Sequence, residues 1–320
     1  MYEAYLPQII SLKDNLHVAS FDVMKLLPAA FILDDAKNKG YLCKNTLIAD
    51  TTSGTFGLAL AMLCAERGLD LHLISDPAVS PILEHQIKIL GAKIEVLTKP
   101  DNKGNFQKVR MERLNELLKE NNNIFCPNQY SNPINKESYT LVAEKIIRSI
   151  GIVDTLVAPV GSGGSISGIS SALKLVNPKI KVVAVDTHGS VLFGHDDRKR
   201  ELRGLGNSLM PENLDHKLIN AVHWISNTLA VSATQQAYRR LGYYWGPTSG
   251  AAYVVADWLS RKNPKEKIIF ISPDKGHRYF DSVYLKMKDD INLEMFSPSY
   301  CKNPKDARTE WDYTILEKKG

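Results

Sequence analysis

A glycine- and serine-rich segment follows a valine-rich stretch near the middle of the chain. The stretch 153–160 has the length of a strand and leads directly into Gly161-Ser162-Gly163-Gly164-Ser165, before a segment of helical spacing. Glycines let successive backbone N–H groups converge, and a helix start adds free N–H groups and the positive end of its dipole. This arrangement predicts a site for a phosphate group. Because the lysine of the GxxxxGK[ST] pattern is missing, a small cofactor with one phosphate is favoured over a nucleoside triphosphate.

A second loop rich in hydroxyl groups lies earlier in the chain. The run Asp50-Thr51-Thr52-Ser53-Gly54-Thr55-Phe56-Gly57 stands between an apolar strand and an amphipathic helix. Its hydroxyl groups and the N–H groups of the helix start would bind a carboxylate. Taken alone, the same residues are also typical of an ordinary Ser/Thr helix N-cap. Two such loops in one chain favour a site that binds a phosphate and a carboxylate.

Short apolar runs and amphipathic segments alternate along the chain and must position these loops. The strand-like runs are 46–49, 71–75, 93–97, 155–160, 181–185 and 267–271. The helix-like segments are 56–66, 80–90, 104–119, 136–150, 167–175, 232–241 and 250–262. Buried, nearly continuous apolar strands that alternate with helices are typical of parallel α/β layers. The predicted fold class is therefore α/β with parallel sheets.

We expect the chain to divide into four segments. We expect residues 1–34 to pack as an N-terminal segment on the large lobe and residues 35–148 to form a small N-terminal lobe. Residues 149–290 are expected to form the large lobe that holds the cofactor phosphate, and residues 291–320 a C-terminal surface tail. No Pro/Ser-rich linker separates the two lobes, so we expect them to pack closely.

The composition argues against several classes of protein. With 320 residues and 44% hydrophobic content, the chain can bury a large core or two lobes. The net charge is only +5 and no arginine-rich segment occurs, so we expect no nucleic-acid partner. The run Asp197-Arg198-Lys199-Arg200-Glu201 is interpreted as a solvated loop.

The cysteines and the hydropathy pattern indicate the cellular location of the protein. Four widely spaced cysteines disfavour a metal site and a disulfide framework, and they favour reduced thiols. The first residues do not read as a signal peptide, and no apolar run reaches membrane-spanning length. We therefore expect a cytoplasmic protein with no membrane partner.

Five segments, in order along residues 16–285, resemble motifs of the fold-type II pyridoxal phosphate enzymes, the cysteine synthase and cystathionine β-synthase family. They are Thr52-Ser53-Gly54-Thr55-Phe56-Gly57, Asn128-Gln129-Tyr130-Ser131-Asn132-Pro133, Gly161-Ser162-Gly163-Gly164-Ser165, Gly246-Pro247-Thr248-Ser249-Gly250-Ala251 and Pro273-Asp274-Lys275-Gly276-His277-Arg278-Tyr279. The resemblance implies two three-layer αβα lobes of the tryptophan synthase β type and pyridoxal 5'-phosphate as the cofactor.

The resemblance also implies roles for individual residues. The run 161–165 would hold the cofactor phosphate, Ser249 would lie near the cofactor, and Thr55 takes the place of the asparagine that bonds the cofactor's phenolic oxygen. The position that faces the pyridine nitrogen falls on Asp274 or Lys275. The implied substrate-binding residues are Thr52, Ser53, Gly54 and Gln129.

The lysine that bonds to the cofactor lies in an N-P-x-G-S-x-K-D-R segment in this family. Here the matching run is Phe21-Asp22-Val23-Met24-Lys25-Leu26-Leu27-Pro28-Ala29-Ala30, in which the N-P-G-G turn is deleted and the D-R pair is replaced. Lys25 is the lysine in register and is predicted to be the catalytic residue. Its apolar neighbours would lower the pKa of its amine by desolvation. The alternative is an ordinary lysine that flanks a helix.

The resemblance implies a β-replacement reaction on an L-serine derivative, O-acetyl- or O-phosphoserine, through an aminoacrylate to which a thiol or amine adds. Runs such as 74–81 and 185–194 are similar to the corresponding runs of the siderophore branch of this family. The members of that branch resemble N-(2-amino-2-carboxyethyl)-glutamate synthase. Two alternatives stay open: β-elimination by a dehydratase or desulfhydrase, and a catalytically altered, cofactor-binding regulatory protein. Arg203 either meets an anionic leaving group or lies on the surface. The implied partners are small amino-acid substrates and a second copy in a homodimer.

Overall fold

The computed structural model describes residues 2–52, 54–101, 106–202, 204–286 and 292–316. The chain forms two compact units, of which the larger comprises Met1–Met24 with Lys136–Gly320 and the smaller Lys25–Asn135. The boundaries expected from the sequence lie after residues 34 and 148 instead.

The described residues include twelve strands and nine α-helices. The strands are β1 (Gln8–Lys13), β2 (Leu16–Ser20), β3 (Leu47–Thr51), β4 (Asp70–Ser75), β5 (Lys93–Val96), β6 (Ile124–Phe125), β7 (Thr155–Pro159), β8 (Lys181–Asp186), β9 (Ala221–Ile225), β10 (Ile268–Ser272), β11 (Ser299–Tyr300) and β12 (Trp311–Ile315). The helices are α1 (Leu26–Asn38), α2 (Thr55–Arg67), α3 (Pro81–Ile89), α4 (Phe106–Glu120), α5 (Pro133–Ser138), α6 (Thr140–Ile150), α7 (Gly164–Val176), α8 (Asn227–Leu241) and α9 (Pro247–Lys262).

The larger unit is built on an eight-stranded sheet with the order β1-β2-β10-β7-β8-β9-β12-β11. The five central strands, β2, β10, β7, β8 and β9, run parallel to one another. Every residue of β2, β7 and β10 is buried, as expected where helices cover both faces of a parallel sheet. The carboxyl ends of these strands therefore lie along one edge, where α/β folds place their binding loops.

The smaller unit contains a parallel four-stranded sheet with the order β5-β4-β3-β6. Its central strand β3 is buried from Ile48 to Thr51 and leads into the second loop predicted from the sequence. The parallel α/β fold class predicted from the alternation of strands and helices is confirmed.

The end of the chain contributes to the sheet of the larger unit. Strand β12 pairs antiparallel with β9, and the side chain of Trp311 is buried. A surface tail is expected from the sequence over residues 291–320, whereas this short strand continues the sheet beyond β9. Burial of an indole ring and the hydrogen bonds along β9 both favour that pairing.

No helix among the described residues has the length and apolar character that crossing a bilayer requires. All four cysteines, Cys43, Cys64, Cys126 and Cys301, are free thiols.

Candidate active site

The predicted phosphate loop lies in the larger unit, where β7 ends and α7 begins. Gly163 occupies the N-cap of α7, and no side chain caps the helix there. The first N–H groups of an α-helix have no acceptor within the helix. The side chains of Ser162 and Ser165, both buried, bring hydroxyl groups to the same turn. This set of donors matches the oxygens of a phosphate group.

Close packing of its backbone explains why this loop is rich in glycine. Gly163 has a φ of 78°, and a Cβ there would lie 2.6 Å from the Cα of Leu214. A Cβ on Gly161 would lie 3.1 Å from the carbonyl oxygen of Gly204. The Asn207 side-chain amide donates to the Gly161 carbonyl at 3.3 Å, and the Ser167 hydroxyl accepts from the Asp215 N–H at 3.0 Å. The loop is thus held by neighbours that leave no room for side chains.

Serine hydroxyl groups cluster at the carboxyl ends of two neighbouring strands of the same sheet. Ser20 ends β2, Ser272 ends β10, and the two are register partners. The Ser272 hydroxyl donates to the Ser249 hydroxyl, in the first turn of α9, at 3.0 Å. The Lys275 amine donates to the Ser20 hydroxyl at 3.1 Å. The predicted residues Ser249 and Lys275 therefore each bond to a serine that the sequence analysis did not single out.

Asp274 and Lys275, the two candidates for the pyridine position, have different surroundings. The buried Asp274 carboxylate pairs with the Arg278 guanidinium and accepts from the Tyr279 hydroxyl at 2.8 Å. Burial raises the pKa of the Tyr279 hydroxyl, which stays protonated as a donor. Lys275 is more exposed, and its amine lies 3.8 Å from the Asp22 carboxylate. Asp274 therefore belongs to a buried ion pair, whereas the Lys275 amine faces the strand ends.

In the smaller unit, the predicted substrate loop is closed by its own hydroxyl group. The Thr52 hydroxyl accepts from the N–H groups of Gly54 and Gly57, each at 3.1 Å. A Cβ on Gly57 would lie 2.3 Å from the Thr52 methyl group, so this position also requires glycine. Thr55, which is half-buried, begins α2. The Thr52 hydroxyl thus shapes the turn, and the N–H groups of α2 that precede Gly57 are the candidate donors to a carboxylate. Ser53 lies outside the described residues, as does Arg203.

Gln129 lies in a turn of the smaller unit that is tied to the end of β3. The buried Asp50 carboxylate accepts from the Thr51 N–H at 2.7 Å and from the Asn128 N–H at 3.0 Å. Asn128 has a φ of 47°, and the buried Gln129 follows it, with its carbonyl accepting from the Asn135 amide. Burial raises the pKa of the Asp50 carboxyl to about 7, against the opposing effect of these N–H groups. Asp50 therefore joins the two predicted substrate-binding segments.

Lys25 is the N-cap residue of α1, and its carbonyl accepts from the Ala29 N–H at 3.2 Å. The side chain is half-buried. Desolvation lowers the pKa of its amine to about 8. At neutral pH a larger fraction of this amine is neutral than in an exposed lysine, which suits it to bond with an aldehyde or accept a proton.

The sequence patterns assign no role to Ser20, Ser272 or Asp50, although Asp50 begins the predicted substrate loop. Each of them is the polar residue at or near the carboxyl end of a buried strand. That position is a usable signal, because the carboxyl ends of parallel strands carry the binding sites of α/β folds.

Comparison with known proteins agrees with this fold. Residues 10–274 match the family described as pyridoxal-phosphate dependent enzyme. The chain is 34% identical over 263 residues to N-(2-amino-2-carboxyethyl)-L-glutamate synthase of Cupriavidus metallidurans, which covers 80% of this chain and 77% of that protein.

Solved structures share the fold. O-acetyl serine sulfhydrylase isoform 3 of Entamoeba histolytica superimposes with a TM-score of 0.81 at 23% identity, over 90% of this chain and 91% of that one. The O-acetylserine dependent cystathionine beta-synthase of Helicobacter pylori superimposes with a TM-score of 0.78 at 25% identity, over 87% and 95%. The chain belongs to the family of pyridoxal-phosphate-dependent enzymes, with the fold of the cysteine synthase type.

Proposed function

We propose that this enzyme catalyses β-replacement in amino-acid biosynthesis. It would exchange the leaving group on the β-carbon of O-acetyl- or O-phosphoserine for a thiol or an amine. The observation that carries the proposal is Lys25, a half-buried amine with a pKa of about 8 at the start of α1. The name of the Cupriavidus relative supports an amine as the nucleophile, because its product is a glutamate substituted on nitrogen.

The residues of the larger unit fit the cofactor. The uncapped first turn of α7 and the buried hydroxyl groups of Ser162 and Ser165 form a donor set for its phosphate. Ser249 and Lys275 would lie along its ring, and Lys275 is the better candidate for the pyridine nitrogen because Asp274 is engaged by Arg278. When bound, pyridoxal phosphate supplies an aldehyde for the substrate's amino group and a ring that withdraws electrons from its α-carbon.

The other residues would hold the substrate and move its proton. The start of α2 at Thr55 and the side chain of Gln129 would bind the α-carboxylate, while Gly54 belongs to the turn that the Thr52 hydroxyl closes. The α-proton would move to Lys25 Nζ, and the leaving group would depart from the β-carbon with its bonding pair. The lone pair of the nucleophile would then form the new bond to the β-carbon, and the proton would return from Lys25 Nζ to the α-carbon.

Adding amino acids to the holoenzyme tests this proposal. O-acetylserine, O-phosphoserine and serine are added separately while the visible absorbance of the cofactor is followed. We expect one donor to change the spectrum, and sulfide or glutamate to restore it with release of a substituted amino acid detected by mass spectrometry. If none of the three donors changes the spectrum, β-replacement on a serine derivative is wrong.

Product analysis separates replacement from β-elimination, which would use the same residues. Elimination releases pyruvate and ammonia in proportion to the donor consumed, whichever nucleophile is present. Replacement gives one substituted amino acid per donor, and little pyruvate when the nucleophile is saturating.

A cytoplasmic location and a homodimer are further parts of the proposal. Four free thiols among the described residues support a reducing compartment. The homodimer rests on the resemblance to the family alone, and light scattering of the purified holoenzyme would measure it.

Asp50 offers a test of the proposed substrate contacts. Asp50→Ala removes the acceptor of the Asn128 N–H and leaves the turn that carries Gln129 less well held. Hydrogen bonds to a charged group contribute roughly 1.5–3 kcal/mol, so we expect the KM for the amino-acid donor to rise about tenfold or more, with a smaller change in kcat. Steady-state kinetics measures both. The matched control is Asp70→Ala, an exposed carboxylate at the amino end of β4, which should leave KM unchanged.

The pH dependence of KM gives a second readout of the same residue. Because the pKa of Asp50 is about 7, the carboxylate gains a proton as the pH falls through 7 and accepts the Asn128 N–H less strongly. The wild-type KM should therefore rise below pH 7, and the Asp50→Ala variant should lose this rise. A fall in kcat alone, with an unchanged KM, would contradict the positioning role.

A further inference from the structure

A pocket of about 150 Å³ lies in the larger unit, outside the residues assigned above to cofactor and substrate. Its walls come from the loop after β8 and from the segment just before β12, more than a hundred residues apart in the sequence. The charged and aromatic residues that line it are His188, His195, Arg198, Lys199, Lys305 and Arg308, with Asp196 as the one carboxylate.

The charges of this pocket are unbalanced. Lys305 pairs with Asp196 at 3.1 Å, so these two charges balance each other. Within the described part of the chain, Arg198, Lys199 and Arg308 form no ion pair. Three cationic side chains therefore line one small pocket whose described lining holds a single carboxylate, that of Asp196, which pairs with Lys305.

The two histidines supply neutral hydrogen-bonding groups beside these cations. Desolvation lowers the pKa of His188, and it lowers that of His195 to about 4, so both rings are neutral at neutral pH. They stack on each other with centroids 5.7 Å apart, and His195 also stacks on Trp224 at 4.6 Å. The Asp312 carboxylate lies 3.8 Å from His188 Nε2. The Gly189 N–H donates to His195 Nδ1 at 3.2 Å, so the proton of that ring is on Nε2.

A short hydrogen-bonded path joins the pocket to the phosphate loop. Gly189 lines the pocket, and its carbonyl accepts from the Arg198 N–H at 3.0 Å. The next residue, Ser190, accepts from the Asn207 N–H at 3.1 Å, and the Asn207 amide donates to the Gly161 carbonyl at 3.3 Å. A ligand that fixes residues 189 and 190 would therefore also restrain Gly161.

We propose that this pocket binds a small anion with at least two negative charges, such as a phosphate or a dicarboxylate, and that its binding is sensed at the cofactor loop. Guanidinium groups bind both kinds of oxyanion in the same bidentate geometry. The neutral imidazoles add no charge that would repel the cations. The proposal does not depend on the reaction proposed above.

Calorimetric titration tests the binding. The holoenzyme is used because the cofactor then fills the phosphate loop, so added phosphate cannot bind there. Inorganic phosphate and succinate are titrated separately at constant ionic strength, which distinguishes the two sources of the anion. We expect saturable binding of at least one, weakened about tenfold or more in the double variant Arg198→Ala/Arg308→Ala. The control is Lys179→Ala/Lys265→Ala, which removes the same charge from exposed positions of the same unit.

Two outcomes would overturn the proposal. One is that the folded double variant Arg198→Ala/Arg308→Ala binds the anion as tightly as wild type, with its fold checked by the thermal unfolding midpoint. The other is an equal loss of affinity in the control, because only the net charge would then matter.

The path to the loop has its own readout, the fluorescence of the bound cofactor. In wild type the anion should change this fluorescence with the same midpoint as the calorimetric curve. Asn207→Ala should still bind the anion by calorimetry but lose the fluorescence change. An unaltered change in that variant would disprove the sensing at the loop.

Discussion

Replacing Lys25 with alanine should lower kcat by about a thousandfold or more and leave the protein folded, because positioned proton transfer and covalent catalysis by one amine are both lost. Lys25 is half-buried at the N-cap of α1, and its side chain caps no N–H group of that helix. Truncation therefore removes the amine at little cost to the helix. Steady-state kinetics measures the loss, and the thermal unfolding midpoint reports on the fold.

A lysine at the other end of the same helix provides the matched control. Lys39 lies just past the last residue of α1 and pairs with Asp35 at 2.8 Å on the surface. Lys39→Ala should change kcat less than about twofold, since an exposed i,i+4 pair contributes only a few tenths of a kcal/mol. If Lys25→Ala retains a near-normal kcat, Lys25 is not catalytic and is an ordinary lysine that flanks a helix.

The pKa of Lys25 gives the same prediction a pH dependence. An exposed lysine amine loses its proton near pH 10.4, whereas the Lys25 amine does so near 8. Only the neutral amine attacks an aldehyde. The rate at which apoprotein captures pyridoxal phosphate should therefore rise as the pH is raised through about 8 and then level off. Stopped-flow absorbance measures this rate, and Lys25→Ala should show no such phase.

The free energy of unfolding also depends on the protonation of this amine. Between about pH 8 and the pKa of the unfolded chain, the unfolded state binds more protons than the folded one. The apoprotein should therefore gain stability as the pH rises through that interval. In Lys25→Ala this contribution disappears.

The features that the sequence predicted well are local ones. The phosphate loop depends on Gly161–Ser165 and on the helix start that follows it, all within a few residues. The parallel α/β class depends on apolar strands alternating with helices, which a linear pattern records directly. The sequence also predicts the loop at Thr52, but it does not show that the Thr52 hydroxyl closes the turn on Gly54 and Gly57, as it does in the structure.

The features that the sequence could not show depend on which strands are neighbours. Ser20 and Ser272 are some 250 residues apart and meet only because β2 and β10 are adjacent and in register. Asp50 reaches the turn at Asn128 for a similar reason, since β6, which precedes that turn, pairs with β3. The run Asp197–Glu201 reads as a solvated loop by itself, and its cations form a pocket only with Lys305 and Arg308. Strand order is a global property, so no local pattern contains it.

Gly163→Ala should be among the most damaging single changes to cofactor binding. Two penalties combine at this residue: a φ of 78°, which an L side chain rarely adopts, and a Cβ that would lie 2.6 Å from the Leu214 backbone. Roughly 1–2 kcal/mol for the conformation and 1–3 kcal/mol for the overlap give an expected loss of about 2–5 kcal/mol in the free energy of unfolding. If the loop instead shifts to relieve the overlap, the donors of the first turn of α7 move, and the affinity for pyridoxal phosphate should fall about tenfold or more.

The chain offers a control that separates the two penalties. Gly242, the C-cap of α8, has a φ of 75°, but a Cβ there would meet nothing within 4 Å. Gly242→Ala should therefore cost only the conformational part, about 1–2 kcal/mol, and leave cofactor affinity unchanged. Denaturant unfolding and titration of apoprotein with pyridoxal phosphate measure the two quantities. Equal affinities in the two variants would mean that the backbone at Gly163 does not hold the cofactor phosphate. A selective loss in Gly163→Ala would assign that role to the turn between β7 and α7.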